Sequence, residues 1–150
     1  MADKSLAGGH MPARLLDIIE DFQACEGREK LELLLQFSEK LPPLPAWLRG
    51  RQDHMDKVEE CMTPVFVHAK HTSRGMSFYF DIPPESPTIR GFAALLNEGL
   101  NGASPEEILR VPADFYQEMG LHQVLTNQRL QGISAILAHM KQLALKELSQ

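Results

Sequence analysis

The thiol of Cys61 is the group in this sequence best suited to chemistry. It lies in the run Val58-Glu59-Glu60-Cys61-Met62-Thr63-Pro64, where one predicted extended segment ends and the next begins. A thiol at such a chain reversal is accessible to a reaction partner, and its thiolate is a nucleophile. Cys25, the other cysteine, continues the apolar stripe of a predicted helix, and we expect it to belong to the core.

The sequence neighbours of Cys61 oppose formation of the thiolate, because nearby glutamates raise a thiol pKa. The period of two in an extended segment turns Glu60 to the face opposite Cys61. Arg129 is the best candidate for a compensating positive charge. It follows the predicted N-cap Thr126 by three residues, and a helix start disfavours a cation there. A surface ion pair would explain Arg129 equally well, but near Cys61 it would complete an anion site suited to a thiolate or a persulfide.

Three histidines, His54, His68 and His71, lie near Cys61 in sequence and raise two other possibilities. A structural zinc site needs a second cysteine two to four residues away, which the sequence lacks, so we predict no metal. A cysteine–histidine hydrolase needs a base and an oxyanion pocket in a geometry that only a fold provides. That interpretation stays open as a less favoured alternative.

Size and charge limit the classes of partner. The 150 residues suit one compact domain, and we predict a flexible lead at 1–10 and a single domain at 11–150. The net charge of −5 disfavours binding to nucleic acid or to a membrane surface, so a protein partner is expected. No stretch resembles a signal peptide or a transmembrane helix, which predicts a cytoplasmic location, where thiols stay reduced.

Apolar residues recur at helical spacing on both sides of a central group of strands. The predicted helices are marked by Leu15 to Cys25, Leu31 to Phe37, 86–100, 105–110 and 126–150. Ser86 and Ser104 precede prolines and are predicted N-caps. The proline-rich stretch at 42–45 excludes helix, and Trp47 behind it is predicted to be a packing residue rather than part of a docking surface.

The central strands are predicted from β-branched and aromatic residues. Residues 65–70 and 76–82 should form an antiparallel hairpin around a turn at 71–75, and 55–60 should form a weaker strand before Cys61. The order of helices, strands and helices predicts an α+β fold with a small three-stranded antiparallel sheet.

Three segments resemble the SufE family of sulfur acceptors, and the likeness spans about Pro12 to Lys146. They are Glu60-Cys61-Met62-Thr63-Pro64-Val65-Phe66, Pro87-Thr88-Ile89-Arg90-Gly91-Phe92-Ala93 and Leu125-Thr126-Asn127-Gln128-Arg129-Leu130-Gln131-Gly132. The resemblance implies a small antiparallel sheet flanked by helices, as the pattern also predicts. Met62 departs from the related pattern Glu-Cys-Gln-Thr-Pro, which has glutamine there.

The resemblance also implies a function. Cys61 would accept sulfur from a cysteine desulfurase as a persulfide, stimulate that enzyme, and pass the sulfur to the scaffold complex that assembles iron–sulfur clusters. Arg129 would contribute to the site, as would Arg90 in a less defined role, while Met62 and Phe66 would shelter the persulfide. No cofactor is expected in this chain, since the pyridoxal phosphate belongs to the desulfurase.

Two further expectations concern assembly and alternative functions. The chain is expected to be a monomer or a weak homodimer. A non-catalytic docking adaptor with a merely buried Cys61 is the main alternative, and a cysteine-dependent hydrolase or peroxidase is a weaker one.

Overall fold

The computed structural model describes residues 11–149, which contain five α-helices, three short 3-10 helices and a three-stranded antiparallel sheet. The helices are α1 (Ala13–Gln23), α2 (Arg28–Ser38), α3 (Pro87–Leu100), α4 (Pro105–Arg110) and α5 (Asn127–Leu148). The strands are β1 (Asp56–Lys57), β2 (Phe66–Thr72) and β3 (Gly75–Asp81). The predicted α+β class is confirmed, and the predicted lead at 1–10 lies outside the described residues.

The sheet has the strand order β1-β2-β3. The β2–β3 hairpin pairs Phe66 with Asp81 and Thr72 with Gly75, so the loop is two residues long and tighter than predicted. Gly75 has a φ of 99°, a left-handed conformation that favours glycine. Strand β1 has only two residues instead of the predicted six, because the chain turns away after Lys57.

Helix α3 lies at the centre of the core, and ten of its fourteen residues are buried. Two of its glycines allow close contact with neighbouring helices. A Cβ at Gly91 would lie 2.2 Å from the backbone oxygen of Leu34 on α2, and one at Gly99 would lie 2.8 Å from Leu15 on α1. Gly99 is internal to the helix, and its role there is close packing.

All three predicted N-cap residues hold their positions, and two of them form side-chain cap bonds. Ser104 forms a capping box with Glu107, and the hydroxyl of Thr126 accepts from the backbone N–H of Arg129. Ser86 holds the predicted N-cap position before Pro87, but its side chain makes no cap bond. Its hydroxyl lies 3.3 Å from the hydroxyl of Thr63 instead.

The prediction that Cys25 belongs to the core is wrong, and Trp47 packs on the sheet but remains partly exposed. Helix α1 ends at Gln23, so Cys25 lies in the turn that leads to α2 and is only half-buried. Trp47 is 49% exposed. Its ring meets those of His68 and Tyr79 edge-on, at 5.5 Å and 5.3 Å between centroids, and covers part of the sheet without entering the core.

The outer edge of β3 lies beside the proline-rich segment. Met76 pairs there with the backbone of Gly102 and Ala103. Alternation along the strand directs the backbone N–H and C=O groups of Phe78 and Phe80 to the same edge, where no other backbone group of residues 11–149 pairs with them. Residues 40–45 and 77–80 line a groove of about 480 Å³ together with part of α3. No helix within 11–149 combines the length and apolar character needed to cross a membrane.

Candidate functional site

Cys61 lies in the loop between β1 and β2. A hydrogen bond of 2.9 Å from the N–H of Val58 to the C=O of Val65 closes the loop. The N–H of Cys61 bonds back to the C=O of Val58 at 3.4 Å, and this turn directs the side chain into the protein. Cys61 is therefore only 6% exposed. The expectation of an accessible thiol is wrong for this conformation.

The side chain of Cys61 faces a cavity of about 230 Å³. Three segments that are distant in sequence form its walls: the Cys61 loop, the start of α3 and the start of α5. The lining residues are Cys61, Met62, Thr63, Glu85, Ser86, Ile89, Thr126, Gln128, Arg129 and Gly132. We call this space the Cys61 cavity. Helix α5 supplies its N-terminal turn because Thr126 caps the helix at the cavity wall.

Two opposing effects act on the pKa of the Cys61 thiol. Burial raises it above the ordinary value of 9.0, because the thiolate loses contact with water, and this is the largest effect. The backbone and side-chain hydrogen bonds of Thr63 lower the pKa, because they stabilise the thiolate. Arg129 is not among the groups that shift this pKa. The resting site therefore holds a protonated thiol beside two donors that favour its ionisation.

The structure places Arg129 on the wall of the Cys61 cavity. Its guanidinium donates to the hydroxyl of Thr88 at 2.6 Å, and Thr88 is buried in α3. This bond ties the first turn of α5 to the first turn of α3. Arg129 thus shares the cavity with Cys61 and also holds two of the cavity walls together.

The other three predicted site residues differ in position. Met62 lines the cavity but is 81% exposed, so in this conformation it is a poor shelter for a persulfide. The sulfur of Met62 accepts a hydrogen bond of 2.8 Å from the amide of Gln128. Phe66 is half-buried in β2 and is not among the lining residues. Arg90 is also absent from the lining, and donates to the C=O of Ile82 at 2.7 Å.

Comparison with known proteins now decides the family. The SufE family model, described as an Fe–S metabolism associated domain, matches residues 16–144. The chain belongs to the SufE family. The resemblance predicted from three segments is confirmed.

Individual relatives agree with this assignment. A SufE-like protein of Mycobacterium tuberculosis strain H37Rv is 40% identical over 136 residues, which cover 90% of this chain and 94% of that protein. The cysteine desulfuration protein SufE of Plasmodium vivax is 28% identical over 146 residues, covering 94% and 57%. The solution structure of a hypothetical protein from Thermus thermophilus superimposes with a TM-score of 0.81 at 36% identity, covering 93% of this chain and 99% of that one.

Several cavity residues of this SufE domain were not predicted from the sequence. Ser86 is predicted only as a cap residue, and Thr63, Gln128 and Gly132 enter the prediction only as parts of the family segments. Gly132 does leave a signal, because glycine inside an amphipathic helix costs stability and needs a packing or functional reason. No sequence pattern predicts the hydroxyl contact between Thr63 and Ser86, because it joins two loops that are distant in sequence.

The histidines near Cys61 in sequence lie elsewhere in the SufE fold. None lines the Cys61 cavity. His68 contacts the backbone oxygen of His54 at 3.2 Å, and His71 lies 3.2 Å from the carboxylate of Glu147. Within residues 11–149 there is no group of three side chains that could hold a metal ion. Among the described residues, no histidine lines this cavity to act as the base of a cysteine–histidine hydrolase.

Proposed function

We propose that this protein accepts sulfur on Cys61 from a cysteine desulfurase, stimulates that enzyme, and delivers the sulfur to an iron–sulfur cluster scaffold complex. Family membership supports the pathway, and the name of the Plasmodium vivax relative refers to cysteine desulfuration. One observation supports the role of Cys61 most directly: its thiol is shielded from solvent yet adjoins a cavity of about 230 Å³. This space can hold an added sulfur atom.

The transfer is an exchange at sulfur, analogous to thiol–disulfide exchange. The Cys61 thiolate attacks the outer sulfur of a persulfide on the desulfurase. A new S–S bond forms at Cys61, the S–S bond on the desulfurase breaks, and the desulfurase cysteine leaves as a thiolate. The pyridoxal phosphate that generates the first persulfide belongs to the desulfurase.

The loop must move for this transfer, because an outside sulfur cannot approach a thiol that is 6% exposed. Two side-chain contacts hold the loop to the rest of the cavity, Met62 with Gln128 at 2.8 Å and Thr63 with Ser86 at 3.3 Å. Docking of the desulfurase would break these contacts and expose Cys61. The loop would then close over the persulfide, so that cellular reductants reach it slowly.

The two cysteines of the described chain are both free, which is consistent with a reducing compartment such as the cytoplasm. Free thiols also allow a clean test by mass spectrometry. Incubation with a cysteine desulfurase and cysteine should add sulfur to the wild type. Cys25→Ser is the matched control and should load like the wild type, whereas Cys61→Ser should not load. Unchanged loading in Cys61→Ser, or none in the wild type, would refute the proposal.

A non-catalytic docking adaptor is the second candidate, and the burial of Cys61 favours it. An adaptor would stimulate the desulfurase through surface contact alone. Stimulation by Cys61→Ser would then equal that by the wild type when cysteine turnover is measured with a small-molecule thiol as the final acceptor. Sulfur transfer instead predicts that this variant loses the stimulation.

A further inference from the structure

Gly132 lies directly beside the thiol of Cys61. It is buried on α5, six residues after the N-cap Thr126, and it lines the Cys61 cavity. A Cβ at this position would lie 3.2 Å from the Sγ of Cys61 and 3.1 Å from the Cδ1 of Ile89. Both distances are shorter than ordinary van der Waals contact between carbon atoms, about 3.5–4.0 Å.

The φ of Gly132 does not require glycine, since it is not among the positive-φ glycines. Alanine is also the better helix former by up to about 1 kcal/mol. What glycine provides here is space between α5, Ile89 and the sulfur. The resting thiol uses part of that space.

A persulfide needs more room than a thiol. Its outer sulfur is bonded at about 2 Å from Sγ. A methyl group 3.2 Å from Sγ would leave no room for a second sulfur on the α5 side. The outer sulfur would then turn toward the cavity mouth, or the loop would move outward.

We propose that Gly132 makes the Cys61 cavity a holding site for one added sulfur atom, by leaving open the position beside Sγ where that atom lies when the loop is closed. This inference rests on the proposed sulfur-carrier function and assigns the retention of the persulfide to a named residue. Gly132 acts by position, since it contributes no reactive group.

The reaction that Gly132 limits is the loss of the outer sulfur to a thiol reductant. The reductant thiolate bonds to the outer sulfur, the S–S bond at Cys61 breaks, and its electron pair returns to Sγ as a thiolate. The reductant carries away the sulfur as its own persulfide. Attack in line with the S–S bond requires access to the outer sulfur, and a closed cavity restricts that access.

The experiment loads Cys61 without a desulfurase. Sodium tetrasulfide transfers one sulfur to the Cys61 thiolate and leaves as trisulfide, so charge and atoms balance. The chain carries Cys25→Ser, so that added mass reports Cys61 alone. After removal of the donor, glutathione is added and the loss of the outer sulfur is followed by intact-protein mass spectrometry.

Gly132→Ala should lose its outer sulfur about tenfold faster than the parent, a change equivalent to about 1.4 kcal/mol. Gln131→Ala is the matched control, because its exposed side chain lies on the same helix and does not line the Cys61 cavity. It should keep the parental lifetime. Equal lifetimes for Gly132→Ala and the parent would overturn the inference.

A double variant separates the sulfur contact from helix packing. Ile89→Val removes Cδ1, so Gly132→Ala in that background overlaps with Cys61 only. The double variant should lose its outer sulfur about tenfold faster than Ile89→Val alone. Equal rates for these two variants would attribute the effect of Gly132→Ala to packing against Ile89 and would overturn the inference. The double variant also provides a test if Gly132→Ala alone does not fold. If the parent retains tetrasulfide-derived sulfur on Cys61 but a desulfurase does not load it, the proposed sulfur donor is refuted. The role of Gly132 in retention would still stand.

Discussion

Replacing Thr63 by valine removes the hydroxyl that lowers the pKa of Cys61 and keeps the shape of the side chain. The backbone hydrogen bond of Thr63 to the sulfur remains, and so does the burial that raises the pKa. Only the side-chain contribution is lost. The variant therefore isolates one of the two hydrogen bonds that oppose the effect of burial on this thiol.

The size of the effect follows from hydrogen bonding to a charged group, which contributes about 1.5–3 kcal/mol. Thr63 is half-exposed, so the lower end of that range applies. Losing this stabilisation of the thiolate raises the pKa of Cys61 further. At a pH below both pKa values, the thiolate fraction falls about tenfold. The intrinsic reactivity of a thiolate increases about threefold per pKa unit, so alkylation should slow only about three- to fourfold.

Two measurements test this prediction together. Titration of the thiolate by its ultraviolet absorbance, with Cys61→Ser as the blank, gives the pKa independently of access to the cavity. The alkylation rate of Cys61 with iodoacetamide across the same pH range gives the reactivity. Thr63→Val should move both midpoints to higher pH.

Thr63→Ser is the matched control because it keeps the hydroxyl, and its midpoint should stay at the wild-type value. Ser86→Ala removes only the hydroxyl that lies 3.3 Å from Thr63, and tests whether that contact orients the donor. An unchanged midpoint in Thr63→Val would show that burial and the backbone alone set the pKa of Cys61.

Two other predictions concern stability. Gly91→Ala should lower the free energy of unfolding by about 3 kcal/mol, because its Cβ would lie 2.2 Å from the backbone oxygen of Leu34. Urea unfolding measures this free energy. The control Asn97→Ala, on the same helix, should change it far less. The raised pKa of Cys61 means that the folded state holds this proton more tightly, so its stabilising contribution is present below about pH 9 and is lost above it, with a slope of at most about 1.4 kcal/mol per pH unit. The free energy of unfolding of the wild type should therefore fall more steeply above about pH 9 than that of Cys61→Ser. Parallel curves of this free energy against pH would contradict the raised pKa of Cys61. The lowered pKa of Lys141 acts in the opposite direction and cancels in this comparison.

The elements that the sequence predicted well are those with local causes. The hairpin follows from β-branched and aromatic residues around a turn with Gly75, and the capping box at Ser104 follows from spacing and hydroxyl chemistry alone. The helix ends were harder to predict. Cys25 continues the apolar spacing of the first helix, but the helix itself ends two residues earlier, at Gln23. Local periodicity does not show where tertiary packing stops a helix.

The site was predicted only in part for the same reason. Cys61 and Arg129 could be singled out because their types are unusual for their local settings, and both line one cavity. The burial of Cys61 could not be predicted, since α3 and α5 cover it from positions far along the chain. Thr63 shows this most clearly: its effect on the thiol depends on how the loop folds back.

The proline-rich segment has a consequence for solubility at high concentration. The backbone groups of Phe78 and Phe80 at the outer edge of β3 have no backbone partner among residues 11–149, and such edges can template pairing with another molecule. The wall of the 40–45/77–80 groove opposite β3 includes three prolines at 42–45. Proline has no backbone N–H to donate. The segment therefore faces the edge across the groove without becoming a fourth strand, and a strand from a second molecule would have to enter this groove to pair with the edge. The fold thus guards against edge-to-edge aggregation.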